Sequence, residues 1–115
     1  MEIHDQAMNV AQYALQGLSQ RADVRSHNVS NINTPGFRAE EVDFESSLQS
    51  AIDRGDASDV PEPVTRTAPG MPDGSWNTAN LEDEMVGMMQ DNLARNAMVE
   101  SYNFKTNQLR TAING

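Results

Sequence analysis

The chain has 115 residues, a length that suffices for one small domain. It contains no cysteine and has a formal net charge of −9 at pH 7. The acidic balance argues against nucleic acid as a partner, because phosphate binding needs clustered Lys and Arg. No run reaches the roughly 18 apolar residues of a membrane span, so direct membrane insertion is not expected. Residues 1–5 lack the basic and apolar regions of a cleaved signal peptide. Without cysteine, disulfides and thiolate chemistry are excluded.

Residues 3–32 carry the first helical pattern. Apolar residues recur at alternating spacings of three and four, the 3.5-residue period of a coiled-coil seam. Its principal members are Met8, Leu15, Leu18, Val29 and Ile32. Arg25 interrupts this seam. Small residues that lie beside the seam suggest a second contact face. A helix this long needs partners to be stable in water.

The helical pattern ends in an Asn-rich segment, residues 28–37. We expect the amides of Asn28 and Asn31 to reach the last backbone carbonyls of the helix, which lack intrahelical partners. Pro35 and Gly36 suit the central positions of a type II turn, and Phe37 then anchors the emerging chain. The complete motif is Asn28, Asn31, Asn33, Thr34, Pro35, Gly36 and Phe37.

The middle of the chain has a different composition. Residues 40–62 hold eight acidic residues against one arginine. Phe44, Leu48 and Ile52 recur every four residues, which favours a short helix over residues 46–52. Prolines and glycines exclude regular helix farther on, so residues 53–76 are interpreted as a flexible or loosely extended connector, with a possible short β-ribbon at residues 64–67.

Residues 78–113 carry the second helical pattern, with Thr78 or Asn80 as its N-cap. One seam is formed by Leu81, Met85, Met88, Val99, Tyr102, Leu109 and Ile113. A further row of apolar residues, the second stripe, consists of Val86, Met89, Leu93, Ala97 and Phe104. Two apolar stripes on one helix predict two neighbours: the N-terminal helix, and a helix from another copy or a partner.

The fold class predicted is all-α, with long terminal helices joined by an irregular connector. We divide the chain into residues 1–52 (helix, turn and short following segment), 53–76 (connector) and 77–115 (C-terminal helix), within one structural domain. The twelve principal members of both seams, from Met8 to Ile113, are called the predicted seam below, and are expected to form a coiled coil or an assembly interface.

The Asn-rich segment resembles the "ANNxANxxTPGY" signature of the bacterial flagellar axial proteins, which include rod and hook subunits, with Phe37 in place of tyrosine. Residues 37–45, 73–85 and 109–113 are similar to segments of the B-type proximal-rod subunits. The resemblance implies terminal helices paired as a coiled coil, and termini that stay disordered until they polymerise. It also implies type III export without a cleaved signal, and assembly into the basal-body rod that crosses the periplasm. Implied partners are other copies, other rod proteins, the export apparatus and basal-body ring or junction proteins.

No residues point to catalysis, a cofactor or a metal. His4 and His27 are too far apart along a helix to share an ion. The carboxylates between Glu40 and Glu45 lack the alternating ligands and central glycine of an EF-hand. We therefore expect a structural protein, not an enzyme. The alternatives are a C-type rod subunit or another axial or junction protein, and an unrelated helical-hairpin adaptor.

Overall fold

The computed structural model describes residues 6–57, 60–67 and 77–114. Its elements in chain order are α1 (Gln6–Ser30), β1 (Glu40–Asp43), α2 (Glu45–Arg54), β2 (Val64–Thr67) and α3 (Leu81–Asn114). The molecule is elongated, with extents of 64 × 26 × 15 Å. These elements confirm the predicted class, a mostly helical chain with long terminal helices. Residues 58–59 and 68–76 of the predicted connector, His4, and the similarity at residues 73–76 lie outside the described residues.

The two terminal helices pack side by side in opposite directions. Arg25, near the end of α1, meets Glu84 at the start of α3. Gln12, in the first half of α1, donates to the hydroxyl of Tyr102 in the second half of α3. Asn80 caps α3, because its Oδ1 accepts from the backbone N–H of Asp83 at 3.2 Å. Of the two predicted caps, Asn80 is therefore the one used.

The segment between the terminal helices forms a small β-hairpin-like layer with α2 inserted. β1 and β2 are antiparallel, with Glu40 opposite Thr67 and Asp43 opposite Val64. β2 occupies the place where a short ribbon was predicted. β1 was not predicted, because its two glutamates are unfavourable in strands and only Val42 turns into the core.

The core lies between α1 and this layer. It consists of Tyr13, Ala14, Leu18, Val42 and Phe44, with Met98 of α3 packed against its edge. The rings of Tyr13 and Phe44 meet edge to face with centroids 6.3 Å apart. Gly17 allows this packing, since a Cβ there would overlap the Phe44 ring. α1 is thus covered on one side by α3 and on another by β1 and α2.

Candidate functional site

The Asn-rich segment forms the turn that its sequence predicts. The N–H of Phe37 donates to the carbonyl of Thr34 at 3.2 Å, and Gly36 has a φ of 72°. With Pro35 before it, this arrangement matches a type II turn. The amide of Asn31 donates to the carbonyl of His27 at 2.9 Å, as expected for a residue that completes a helix end. The ring of Phe37 packs edge to face on His27, with centroids 5.5 Å apart.

Asn28 does not complete the helix end, which corrects the expectation for this residue. Its Nδ2 donates to the carbonyl of Glu40 at 2.8 Å, and its Oδ1 accepts from the N–H of Glu40 at 2.9 Å. The same Nδ2 donates to Oε1 of Glu84 at 2.9 Å, and the residue is only 1% exposed. A side-chain amide offers the donor and acceptor of a peptide group, so it can pair with the backbone of β1. Asn28 therefore ties both β1 and α3 to α1.

Asn77 performs the role expected of Asn28, and sequence reasoning did not identify it. Its Nδ2 lies 2.7, 3.1 and 2.8 Å from the carbonyl oxygens of Asn31, Ile32 and Thr34. The carbonyls of Asn31 and Thr34 also accept from the backbone N–H groups of Thr34 and Phe37, at 3.0 and 3.2 Å, so Asn77 adds a second donor to each. The adjacent Thr78 is bonded to the same region, because its N–H donates to the carbonyl of Phe37 at 2.9 Å. The start of the C-terminal segment thus closes the end of the N-terminal helix.

Below this turn, four residues form what we call the polar junction: Arg25, Asn28, Glu84 and Asp91. Nε of Arg25 donates to Oδ2 of Asp91 at 2.7 Å, and Nη1 to Oε2 of Glu84 at 3.3 Å. The side chains of Arg25, Asp91 and Glu84 are only 23%, 16% and 10% exposed, respectively. Arg25, which seemed to interrupt an apolar pattern, is therefore the cation that joins the helices.

Gly87 makes room for this ion pair. A Cβ at position 87 would overlap the guanidinium group of Arg25. The guanidinium therefore lies directly against the backbone of α3, between the carboxylates of Glu84 and Asp91. Any side chain at position 87 would displace it.

Arg21 extends the polar contacts towards the core layer. It donates to the carbonyl of Val42 at 2.6 Å and to the carboxylate of Glu45, and its guanidinium lies 4.7 Å from the centroid of the Phe44 ring. Burial alone would lower the pKa of Arg21, but the bonded Glu45 and the nearby Asp91 outweigh it and raise that pKa. A cavity of about 400 Å³ opens between α1 and β1, with Arg21, Glu45 and Glu84 among its lining residues. Four of its charged lining residues are paired with one another, Arg21 with Glu45 and Arg25 with Glu84.

The structure brings only part of the predicted seam together within one chain. Met8 and Leu18 are buried, whereas a second group is half-buried: Leu15, Val29, Ile32, Met88, Tyr102 and Leu109. The remainder is exposed, namely Leu81, Met85, Val99 and Ile113. At about 100° per residue, the side of α3 that meets α1 is centred on Glu84, Asp91 and Tyr102. Tyr102 and Leu109 of the predicted seam share this face. Leu81, Met85 and Val99 lie about 60–100° to one side of it, because Glu84 and Asp91, which hydrophobic periodicity ignores, occupy its first turns. As an interface with another molecule, the seam stays a prediction.

The second stripe faces away from α1. Val86, Met89, Leu93 and Phe104 are between 53% and 71% exposed, and Ala97 is also exposed. They lie on the side of α3 opposite Glu84 and Tyr102. The described part of the chain supplies no element that covers this stripe.

The described residues were also searched for metal sites and membrane spans. Within residues 6–57, 60–67 and 77–114, no three His, Asp or Glu side chains come close enough together to hold a metal ion. In the same ranges, no helix combines the length and apolarity needed to cross a membrane.

Comparison with known proteins identifies the family. Residues 8–38, which span α1 and the Asn-rich turn, match the family model described as flagella basal body rod protein. A flagellar basal body rod protein FlgB from Aeromonas hydrophila is 30% identical over 125 residues, covering 96% of this chain and 95% of the relative. FlgB from Bacillus subtilis (strain 168) is 29% identical over 119 residues, covering 88% and 91%. FlgB from Yersinia enterocolitica is 41% identical over 54 residues, covering 47% and 39%.

These matches confirm the resemblance on which the sequence interpretation rests, and they favour none of its alternatives. The relatives from Aeromonas and Bacillus extend the similarity from the turn through both terminal helices. The family is a structural one and is located in the flagellar basal body. The chain therefore belongs to the family of FlgB flagellar basal body rod proteins, as a structural subunit of the rod.

Proposed function

We propose that this chain builds the proximal part of the rod by laying the second stripe of α3 against neighbouring subunits. Those neighbours are other copies of this chain and other rod proteins. In this proposal the chain is exported by the flagellar type III system and catalyses no reaction. It meets the export apparatus and the ring or junction proteins only on its way to, or at the base of, the rod.

The exposure of the second stripe is the observation that carries the proposal. Leu93 is 71% exposed, although it lies in the middle of a 34-residue helix. Burying one side chain of this size contributes about 1.5–3 kcal/mol. Four large members of the stripe on one line of α3 therefore offer a substantial gain to any arrangement that covers them. An elongated molecule with one such face is suited to lateral packing in a cylinder.

The predicted seam supports a second contact with a neighbour. Leu18 and Ala22 of α1 and Met88 of α3 line a crevice of about 220 Å³ between the terminal helices, and Arg25, Asp91, Asn92 and Arg95 line it as well. Leu81, Met85 and Val99 extend the same side of α3 and are exposed. We assign this crevice to a helix of an adjacent subunit, which is consistent with two neighbours around α3.

The experiment compares two substitutions at one position. Leu93→Glu places a charge at the centre of the second stripe, whereas Leu93→Met keeps the position apolar and of similar volume. Each variant replaces the natural chain in a strain lacking the gene. We expect Leu93→Glu to abolish swimming in soft agar and rods in purified basal bodies, because the charge would have to be buried without a partner.

Leu93→Met should swim and assemble normally. Both purified variants should retain the helical circular dichroism of the parent, since Leu93 contacts solvent in the single chain. Normal rods built from Leu93→Glu would contradict the proposal, because the second stripe would then not be an interface.

A further inference from the structure

We infer that the polar junction fixes the rotation of α3 about its own axis, so that the second stripe points outwards. Arg25, Asn28, Glu84 and Asp91 are, in this inference, positioning residues for rod assembly. Only the expected effect on rod assembly rests on the proposed function. The orientation of α3 can be measured independently of it.

Burial of apolar surface does not by itself account for the observed orientation. The side of α3 that meets α1 is centred on Glu84 and Asp91, and its only fully buried residues among those described are Glu84 and Gly87. Met85, one residue away and about 100° around the helix, is 56% exposed. Turning α3 by this amount would bring Leu81, Met85 and Val99 towards α1, but it would carry the half-buried Tyr102 and Leu109 away from it. Apolar side chains thus lie on both faces, so apolar area alone does not select the observed rotation.

The contacts of Glu84 are directional and supply the missing constraint. One carboxylate oxygen accepts from Asn28 at 2.9 Å and the other from Arg25 at 3.3 Å. Arg25 is held in turn by Asp91 at 2.7 Å, seven residues and two helical turns farther along α3. A rotation by one residue would break these bonds together and leave buried charges without partners, which is strongly unfavourable.

Gly87 makes the constraint specific for one rotation and one axial register. The guanidinium of Arg25 occupies the space in which a Cβ of residue 87 would lie. Every neighbouring position, including Val86 and Met88, carries a side chain that would collide there. The guanidinium therefore fits α3 in the observed register and not when α3 is displaced by one residue.

Buried ion pairs are weak evidence for stability, and in some systems they select one arrangement over its alternatives. The test removes the junction without adding large apolar side chains to the same side of α3, in the triple variant Arg25→Ala, Glu84→Ala, Asp91→Ala. The matched double variant Glu82→Gln, Asp83→Asn removes two acidic charges from exposed positions of α3 and leaves the junction intact.

The orientation of α3 is measured by thiol labelling in the full-length chain. The parent has no cysteine, so single substitutions Met85→Cys, Leu93→Cys and Met98→Cys each provide one reporter. In the parent, a maleimide should label Cys at 85 and 93 rapidly and at 98 slowly, because Met98 is packed against the core. The double variant should show the same order of rates.

In the triple variant we expect labelling at position 85 to slow by about tenfold while position 98 becomes faster, because α3 can then turn Leu81, Met85 and Val99 towards α1. Helical circular dichroism should remain at the parent level. Parent-like labelling of the triple variant would overturn the inference, and so would equal rates at all three positions in the parent. Loss of helix in the triple variant would also overturn it, since the junction would then be a source of stability and not of orientation.

Rod assembly by the triple variant separates this inference from the proposed function. If the labelling pattern changes and rods are lost, both are supported. If the pattern changes while rods form normally, the junction still orients α3, but the second stripe is not the assembly surface. Failure of the Leu93→Glu experiment thus leaves the labelling result intact.

Discussion

The two terminal helices place their polar and apolar residues in opposite ways. α1 buries Met8, Ala11, Tyr13 and Leu18 and exposes mostly polar residues, as a helix of a water-soluble domain does. α3 buries Glu84 and Gly87, leaves Met88, Tyr102 and Leu109 half-buried, and exposes the large apolar side chains of the second stripe. The same chain thus contains one helix organised for its own core and one organised for contacts outside it.

This contrast explains how a single sequence can supply both a folded unit and an assembly surface. The core around Phe44 depends on α1, β1 and α2, and includes Met98 of α3 only at its edge. α3 is attached by directional polar contacts near its start and by the half-buried Met88, Met98 and Tyr102, and none of these uses the second stripe. The apolar area that would normally stabilise the single chain remains available to neighbours.

The sharpest test of the contrast substitutes a phenylalanine on each side of it. Phe44 is 5% exposed and Phe104 is 65% exposed. We expect Phe44→Ala to lower the free energy of unfolding by about 3–5 kcal/mol, because the substitution opens a cavity beside Gly17. Phe104→Ala should change it by less than about 0.5 kcal/mol in the isolated chain. Urea titrations followed by circular dichroism measure both, and equal losses would refute the division of roles.

A smaller effect is expected from the link between the two regions. Asn28→Ala removes the side chain that pairs with Glu40 and Glu84, leaving buried polar groups without partners. The expected loss is about 1–3 kcal/mol in the free energy of unfolding. The exposed Asn33→Ala is the matched control, with little change expected in the same urea titration. A cost at Asn33 equal to that at Asn28 would contradict the special role of Asn28.

The smallest expected effect is a change of stability with pH, and it arises at the ion pair of Arg21 and Glu45 beside the core. Burial alone would raise the pKa of Glu45, but the hydrogen bond and charge of Arg21 lower it. A carboxylate with a lowered pKa stabilises the fold above its ordinary pKa, and that contribution is lost as the pH falls through the lower value. Because Glu45 is largely exposed, the contribution is less than about 1 kcal/mol.

Thermal unfolding between pH 6 and pH 3 measures this contribution. Glu45→Gln should be less stable than the parent at pH 6 and should approach it at pH 3, because the parent loses the charge there. A difference that is constant across this range would show that Arg21 and Glu45 do not form an effective ion pair in solution.

Much of the fold follows from local sequence patterns. Helical periodicity predicts α1 and α3, and Pro35 and Gly36 predict the turn between α1 and β1. The spacing of Phe44, Leu48 and Ile52 predicts α2. These features depend on residues close together in the chain, whose individual preferences for helix or turn are known.

The polar junction could not be predicted in the same way. The partners of Asn28 are 12 and 56 residues away, and nothing local distinguishes an asparagine that caps a helix from one that pairs with a distant strand. Arg25 was interpreted as an interruption of the apolar pattern, because hydrophobic periodicity assigns charged residues to solvent. Two charges that cancel across a helix pair violate that assumption. The one available signal was the position of Gly87 between Glu84 and Asp91. It becomes meaningful only once the axial register of α3 against α1 is known.

The contacts of Asn77 have a consequence for the timing of folding. A chain that has been synthesised only as far as residue 76 already contains α1, β1, α2 and β2, but not the amide that binds the carbonyls of Asn31, Ile32 and Thr34. Glu84, which satisfies buried Asn28, is missing as well. The end of α1 and the turn after it therefore lack these partners until the last third of the chain has emerged. The chain therefore completes its fold late, and α3, which carries the exposed second stripe, is the last element to be attached.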